Sequence, residues 1–285
     1  MTLLVESPGL LTLVQDLGRP ALGHLGVGPS GAFDRGALRQ ANALLGGTPT
    51  SAGLEVLGGG LVLRATAPHT VAVTGAPADL RVDGTPVAYG RAVPLRPGQV
   101  LRVGPPLSGL RTYVGVAGGV SARAELGSAA TDTLSGLGPA PLAVGDELAV
   151  GASQPVPDLE DVLPLGPAGE IAVDVVLGPR DDWFAAAAVR LLLESPWVVT
   201  PASDRIGVRL AGPRLERSRH DELPSEPCVR GSIQVAADGQ PIVLGPDHPV
   251  TGGYPVVAVV VDGHTDRLAQ AAPGRTVRFR RVPRP

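Results

Sequence analysis

The sequence predicts an all-β protein built in two halves, with a few short helices. Three observations carry that prediction: runs rich in Val, Leu and Ile recur along the whole chain, Gly-containing turn pairs stand between them, and two stretches alone carry helix signals. The strand-like runs are residues 3–5, 61–64, 70–73, 100–103, 111–116, 170–177, 229–235 and 255–261. Branched side chains suit a pleated surface, where their restricted rotamers cost little. Asp83-Gly84, Pro97-Gly98, Asp238-Gly239 and Pro273-Gly274 supply the turns, because Gly and Asp reach positive φ more readily than other residues. Short strands at this spacing predict barrels or sandwiches rather than a parallel α/β sheet.

The first helix is expected over about 33–45, with Ser30 or Asp34 as its cap and Gly46-Gly47 as its stop. The second is expected to begin near Asp181, to carry Trp183-Phe184 and residues 191–193 toward a core, and to end before Ser195-Pro196. Two internal echoes suggest related halves: RPGQVLR at 96–102 against APGRTVR at 272–278, and LGVGPSG at 25–31 against IQVAADG at 233–239. The Pro-rich stretch 155–167 reads as a linker, which places the halves at 1–165 and 166–285.

Composition removes whole classes of function. With 24 basic and 27 acidic residues the formal charge is −3, which leaves no footprint for nucleic acid or an anionic membrane, so small molecules or proteins are the expected partners. All 24 basic residues are Arg. A P-loop lysine, a Schiff-base lysine, a biotinylated lysine and a Ser-Lys pair are therefore excluded. The single Cys228 excludes an internal disulfide and a CxxC knuckle, as suits a reducing compartment. Histidines 24, 69, 220, 248 and 264 show no HxH or HxxxH spacing, and no metal is expected. MTLLVESPG lacks a basic n-region and 256–261 is too short to span a bilayer, so a cytoplasmic location is expected.

Polar, glycine-rich residues concentrate in two places. Residues 7–34, SPGLLTLVQDLGRPALGHLGVGPSGAFD, hold Gln15, Asp16, Arg19, His24, Ser30 and Asp34. Read as a loop, the segment brings backbone N–H groups, a carboxylate and a forked donor to an amide or carboxylate ligand. It reads equally as a connector tied down by a buried Asp16–Arg19 pair. The second cluster comprises 203–209 with Arg205, Ser225-Glu226, and 231–255 with Gln234, Asp247-His248 and Thr251-Gly252-Gly253-Tyr254. Asp247-His248 offers an acid–base pair and 251–254 an anion-accepting loop, although a surface histidine is the commoner role. Residues 127–136, GSAATDTLSG, and the runs Gly58-Gly59-Gly60 and Gly118-Gly119 lack phosphate-loop spacing, and Cys228 reads as packing.

Taken together, these segments resemble the allophanate hydrolase subunit 2-like or KipA-like family, also called biotin-dependent carboxyltransferase. The resemblance spans nearly the whole chain. Its further marks are Ala41-Asn42, Leu54-Glu55-Val56, Thr74-Gly75-Ala76, RTYVGVAGG at 111–119, GPRDDWF at 178–184 and SDRIGVRLAGP at 203–213. It implies two cyclophilin-like β-barrel subdomains with a cleft between them. For bacterial members it implies one component of ATP-dependent 5-oxoprolinase, opening 5-oxoproline to glutamate. The implied partners are that enzyme's A component and its B component, the latter a subunit 1-like or KipI-like protein. ATP would be used with that partner complex. Two alternatives accompany it: biotin-dependent carboxyl transfer to urea or a similar amide, and a KipA-like regulator that binds a kinase-inhibitor partner.

Carried onto this sequence, the resemblance implies Asp16, Arg19 and Asp247 as catalytic residues. Gln15, Ser30, Asp34, Asn42, Glu55, Arg205, Gln234, Thr251, Gly252 and Tyr254 would bind substrate. Arg19 and Arg205 would meet developing anionic oxygen while Asp16, Glu55 or Asp247 orients the amide N–H. The chain departs from the family pattern twice: LGSAAT at 126–131 stands for Leu-Gly-Ser-Arg-Ser-Thr, and Pro249-Val250 for Gln-Thr.

Overall fold

The structure is a computed structural model, and it describes residues 1–153, 155–157, 169–219 and 221–284. The chain divides into two compact units, one of Met1–Arg19, Ser30–Asp132 and Gly136–Gly166, the other of Pro20–Pro29, Thr133–Ser135 and Pro167–Pro285. The second unit thus takes in two short segments from the N-terminal part of the sequence. Of the stretch read as a linker, 155–167, only 155–157 lies within the described residues.

In the first unit a seven-stranded sheet runs in the order Val120–Ser121, Glu147–Val150, Thr2–Pro8, Leu61–Ala65, Val100–Pro106, Ala78–Val82, Thr85–Pro86. A five-stranded sheet follows the order Leu11–Gln15, Gly53–Leu57, Arg111–Val116, His69–Gly75, Ala92–Leu95. Leu3, Val5, Leu61, Leu63, Leu101 and Val103 of the first sheet share one core with Val14, Leu54, Val56, Val71, Val73, Val114 and Val116 of the second. Alternate residues reach that core because side chains along a strand point to opposite faces. Arg111–Val116 is buried at every position, since its outer face is covered by helix α1, Arg35–Leu44. Gly115 permits that close contact: a Cβ there would stand 3.0 Å from the Cβ of Ala41. Asp34 caps α1, its Oδ1 accepting from the Ala37 N–H at 2.9 Å.

The second unit closes a seven-stranded barrel in the order Ile171–Leu177, Val256–Val260, Ser232–Val235, Pro241–Leu244, Gly207–Ala211, Trp197–Val199, Thr276–Arg281. An odd number of strands cannot close with every neighbour antiparallel. The parallel pair is Ile171–Leu177 with Thr276–Arg281, in register from Ile171 opposite Val277. Ile171, Val173, Trp197, Ile233, Val243 and Val277 are all buried. Helix α2, Ala186–Glu194, packs on Thr276–Arg281, and helix α3, Asp262–Leu268, on Ile171–Leu177.

The expected β architecture is present; Asp83-Gly84, Pro97-Gly98 and Asp238-Gly239 lie between strands, whereas Pro273-Gly274 lies between helix α3 and the strand Thr276–Arg281. Several local expectations are corrected. Residues 11–15 are a strand rather than loop, because Thr12 and Val14 are buried beside Val56 and Leu54. The helix expected from Asp181 is a 3-10 turn, Asp181–Trp183, broken from α2 by extended backbone at Phe184 and Ala185. Helix α3 is unanticipated: seven residues with Gly263 beside an apolar strand carry little periodic signal. The run 229–235 becomes a strand only from Ser232. Of the two echoes, 96–102 and 272–278 both form a turn leading into a strand, whereas Leu25 ends a 3-10 turn and Ile233 lies inside a strand.

His264 on α3 gives the second unit a defined response to pH. Its Nδ1 accepts the Asp174 N–H at 2.9 Å, which only the neutral ring can do. Partial burial and then Arg267 hold its pKa below the ordinary 6.5, against the pull of Asp174. The folded chain therefore binds this proton less readily than the unfolded chain, so the contribution is complete above the unfolded value and is lost as pH falls through the interval below it. In thermal melts between pH 7.5 and 5, His264→Asn, whose amide oxygen can still accept from Asp174, is expected to flatten the decline; an unchanged slope refutes this assignment.

Candidate functional site

In the first unit the strand Leu11–Gln15 delivers Gln15 and Asp16 to residues 128–131, which fold back over them. Asp16 organises the fold-back. Its Oδ1 accepts from the Gly18 N–H at 2.7 Å and the Ser128 hydroxyl at 2.6 Å, and its Oδ2 from the Ala129 N–H at 2.8 Å. Gln15 Nε2 donates to the Thr131 carbonyl at 2.8 Å, and the Ser30 hydroxyl reaches the same oxygen at 3.1 Å. Arg19 Nη2 donates to the Ala130 carbonyl. Gly31 closes the turn at φ +87°, where a Cβ would lie 2.7 Å from Gly18 N. The buried Asp16–Arg19 pair does not form: the Asp16 oxygens are taken by other donors, and Arg19 turns to a carbonyl.

Behind this layer a buried polar network fixes residues 33 and 34. Glu55 Oε2 accepts from the Phe33 N–H at 2.8 Å and the Tyr113 hydroxyl at 2.7 Å, and that hydroxyl accepts from the Asp34 N–H at 2.7 Å. Arg111 stands 3.4 Å from Glu55 and 4.5 Å above the Phe33 ring. Burial first, then Glu55 and Asp34, push the Tyr113 phenol well above its usual range, so it stays protonated and donates to Glu55. Asn42 on α1 donates to the Ser51 carbonyl at 2.8 Å. Asp34, Asn42 and Glu55 are thus engaged in holding the fold of their own unit.

In the second unit Asp247 and Arg205 form a two-point ion pair, Nε to Oδ2 at 2.8 Å and Nη2 to Oδ1 at 2.9 Å. Thr133 adds its N–H at 2.9 Å and its hydroxyl at 2.7 Å to the same Oδ2. A carboxylate so saturated with donors is stabilised as the anion and is poorly placed to transfer a proton. His248 is buried, its Nδ1 2.8 Å from the Pro249 carbonyl. Gln234 Nε2 contacts Cys228 Sγ at 3.5 Å and the Tyr254 carbonyl at 3.3 Å, and Gly252 lies so close that a Cβ would stand 2.5 Å from that nitrogen. Burial and Glu226 raise the Cys228 thiol, which keeps it a thiol. Thr251–Gly252 pairs as a strand with Glu226–Pro227, so 251–254 is not an open anion loop, and Tyr254 is exposed, 5.9 Å from Arg217.

The structure thus gathers Gln15, Asp16, Arg19 and Ser30 in one unit, and Arg205 with Asp247, and Gln234 with Gly252 and Tyr254, in the other. Sequence reasoning missed Ser128, Ala129 and Thr131 as partners of the first group and Thr133 as a partner of Asp247. The one pointer to this stretch was its place in the family pattern, where LGSAAT stands for Leu-Gly-Ser-Arg-Ser-Thr. The glycine runs offer no phosphate cradle: a Cβ at Gly59 would stand 2.2 Å from Gly104 O, and one at Gly118 2.2 Å from Gly151 O. Among the described residues no cluster of three His, Cys, Asp or Glu side chains gathers around a metal position, and no residue is assigned to ATP or biotin.

Asp247→Asn removes the negative charge from the two-point pair with the buried Arg205 guanidinium and is expected to cost about 3–5 kcal/mol. Adding Arg205→Met should recover much of that loss, as read by urea denaturation; a double variant no better than the single one refutes the assignment.

A family model described as carboxyltransferase domain, subdomain A and B, matches residues 25–281. The chain is 35% identical to the C subunit of 5-oxoprolinase from Escherichia coli (strain K12), over 95% of this chain and 88% of that protein. It is 33% identical to the C subunit of 5-oxoprolinase from Haemophilus influenzae, over 94% of this chain and 87% of that protein. Among solved structures it superposes on TTHA0988 with a TM-score of 0.89 and 36% identity, covering 98% of this chain and 55% of that one. The Kluyveromyces lactis urea carboxylase gives 0.90 and 28% identity, covering 98% of this chain and 27% of that one. The chain therefore spans about half of the first of these structures and about a quarter of the second. Matched across most of its length by the family model and by both 5-oxoprolinase proteins, the chain belongs to the carboxyltransferase subdomain A and B family, the allophanate hydrolase subunit 2-like or KipA-like proteins.

Proposed function

We propose that this chain is one component of an ATP-dependent 5-oxoprolinase that opens 5-oxo-L-proline to L-glutamate together with the A and B components of that enzyme. The observation that carries this reading is the similarity to two proteins named as the C subunit of 5-oxoprolinase, which holds over most of both relatives' lengths. The site chemistry supports a binding role for this chain. Gln15 and Arg19 present amide and guanidinium groups held by backbone carbonyls, while both Asp16 oxygens are engaged in folding 128–131 over them. Hydrolysis of a lactam needs activation of a poor electrophile and an outlet for charge on its carbonyl oxygen. ATP supplies the activation, and its phosphate site is assigned to the partner complex.

Carboxyl transfer is a second reading, favoured by the family model and the urea carboxylase structure. A chain whose 24 basic residues are all Arg cannot itself carry biotin on lysine, so that reading requires a separate biotinylated carrier.

Reconstitution separates the two readings. With the A and B components present, glutamate release from 5-oxoproline is expected to require both ATP and this chain. Turnover without this chain, or turnover only with a biotinylated carrier and bicarbonate, overturns the proposal. Asp16→Ala, which frees Ser128 and Ala129, is expected to lower turnover by about 10- to 100-fold through misplacement of the fold-back, with an unchanged far-UV circular dichroism spectrum.

A further inference from the structure

Among the described residues three arginines are more than nine-tenths buried: Arg111 faces Glu55, Arg205 is clamped on Asp247, and Arg19 has no acid beside it. Arg19 is 2% exposed, its Nη2 donates to the Ala130 carbonyl, and its Nε and Nη1 are buried without an acceptor. Gln15 is 0% exposed, and its Oε1 is buried without a donor. Both side chains are anchored by successive carbonyls, Arg19 by that of Ala130 and Gln15 by that of Thr131. An open acceptor and an uncompensated cation are thus held on the carbonyls of adjacent residues. A guanidinium stays charged in a protein, and a charge removed from water without a counter-ion is strongly unfavourable. Buried polar atoms without partners are rare enough that each calls for an explanation, and for a buried guanidinium the natural missing partner is an anion.

We propose that Gln15 and Arg19 form a subsite for a small organic carboxylate with a neighbouring amide N–H: the carboxylate accepts from Arg19, and the N–H donates to Gln15 Oε1. 5-Oxoproline has this arrangement, since its ring N–H and its carboxylate are attached to one carbon. That choice of ligand rests on the functional reading above, whereas the subsite itself rests on Gln15 and Arg19. The site recognises substrate by its carboxylate and leaves the lactam carbonyl, the reacting group, to other donors. Both side chains are closed to solvent, so binding requires local movement of the chain. Ser30, held at φ +49° and donating to the same Thr131 carbonyl, is the neighbouring position under backbone strain.

Calorimetric titration of the full chain with N-acetylglycine and with 5-oxo-L-proline tests the subsite, with uncharged 2-pyrrolidinone as the comparison. Both carboxylates are expected to bind, and 2-pyrrolidinone to bind about 10- to 100-fold more weakly, the loss of one charge-assisted contact. Arg19→Gln keeps an amide that can donate to Ala130, and is expected to bring the carboxylates down to the 2-pyrrolidinone level. Arg19→Lys should retain part of the affinity. Equal binding of N-acetylglycine to wild type and Arg19→Gln, or no binding to either, overturns the subsite. Arg19-dependent binding of N-acetylglycine alone keeps the subsite and overturns the 5-oxoprolinase reading. Unchanged KM for 5-oxoproline in a reconstituted complex carrying Arg19→Gln overturns the subsite and leaves that reading standing.

Discussion

A guanidinium taken out of water must be supplied with acceptors, and much of the polar architecture here is organised by that requirement. Arg205 meets it with Asp247, which Thr133 also holds, and Arg111 meets it with Glu55 and the face of Phe33. Each solution fixes a stretch of backbone: the Glu55 carboxylate that faces Arg111 also holds the Phe33 N–H, and Tyr113 holds that of Asp34, just where α1 begins. Arg19 is met only by a carbonyl, which is why its surroundings differ in kind from the other two.

The sheets make these arrangements rigid. Glu55 and Tyr113 are directly opposite one another on paired strands, so their side chains share a face and meet by register. Thr74 lies opposite Tyr113 on the next strand and donates to the Ala37 carbonyl at 2.7 Å, which ties α1 to the same face. In the barrel, Asp247 and Arg205 lie just outside the paired strands Pro241–Leu244 and Gly207–Ala211, where the Asp247 N–H also donates to the Arg205 carbonyl at 3.1 Å. Polar groups at strand ends are thereby positioned by the regular hydrogen bonding beside them.

Much of this was legible in the residues. The apolar runs and turn pairs marked the strands, and Asp34 with Gly46-Gly47 marked the bounds of α1, because caps and positive-φ turns have local causes. The strand Leu11–Gln15 was less legible: its polar neighbours made it read as loop, and only burial against Gly53–Leu57 explains it. α3 was hidden for the opposite reason, since it follows directly on the apolar strand Val256–Val260 and is only seven residues long. Ser128 and Thr133 carried no chemical signal beyond their type.

The sequence by itself determined the β content, the turns, the absence of any lysine chemistry and the family. It also picked out Gln15, Asp16, Arg19, Arg205 and Asp247. Tertiary structure alone decided how these are partnered. Asp16 and Arg19, three positions apart, do not pair, whereas Arg205 and Asp247, separated by 42, form a buried ion pair. Ion pairs follow distance through space, and in a sheet protein that distance is set by strand register and by the return of remote segments such as 128–131, neither of which local sequence specifies.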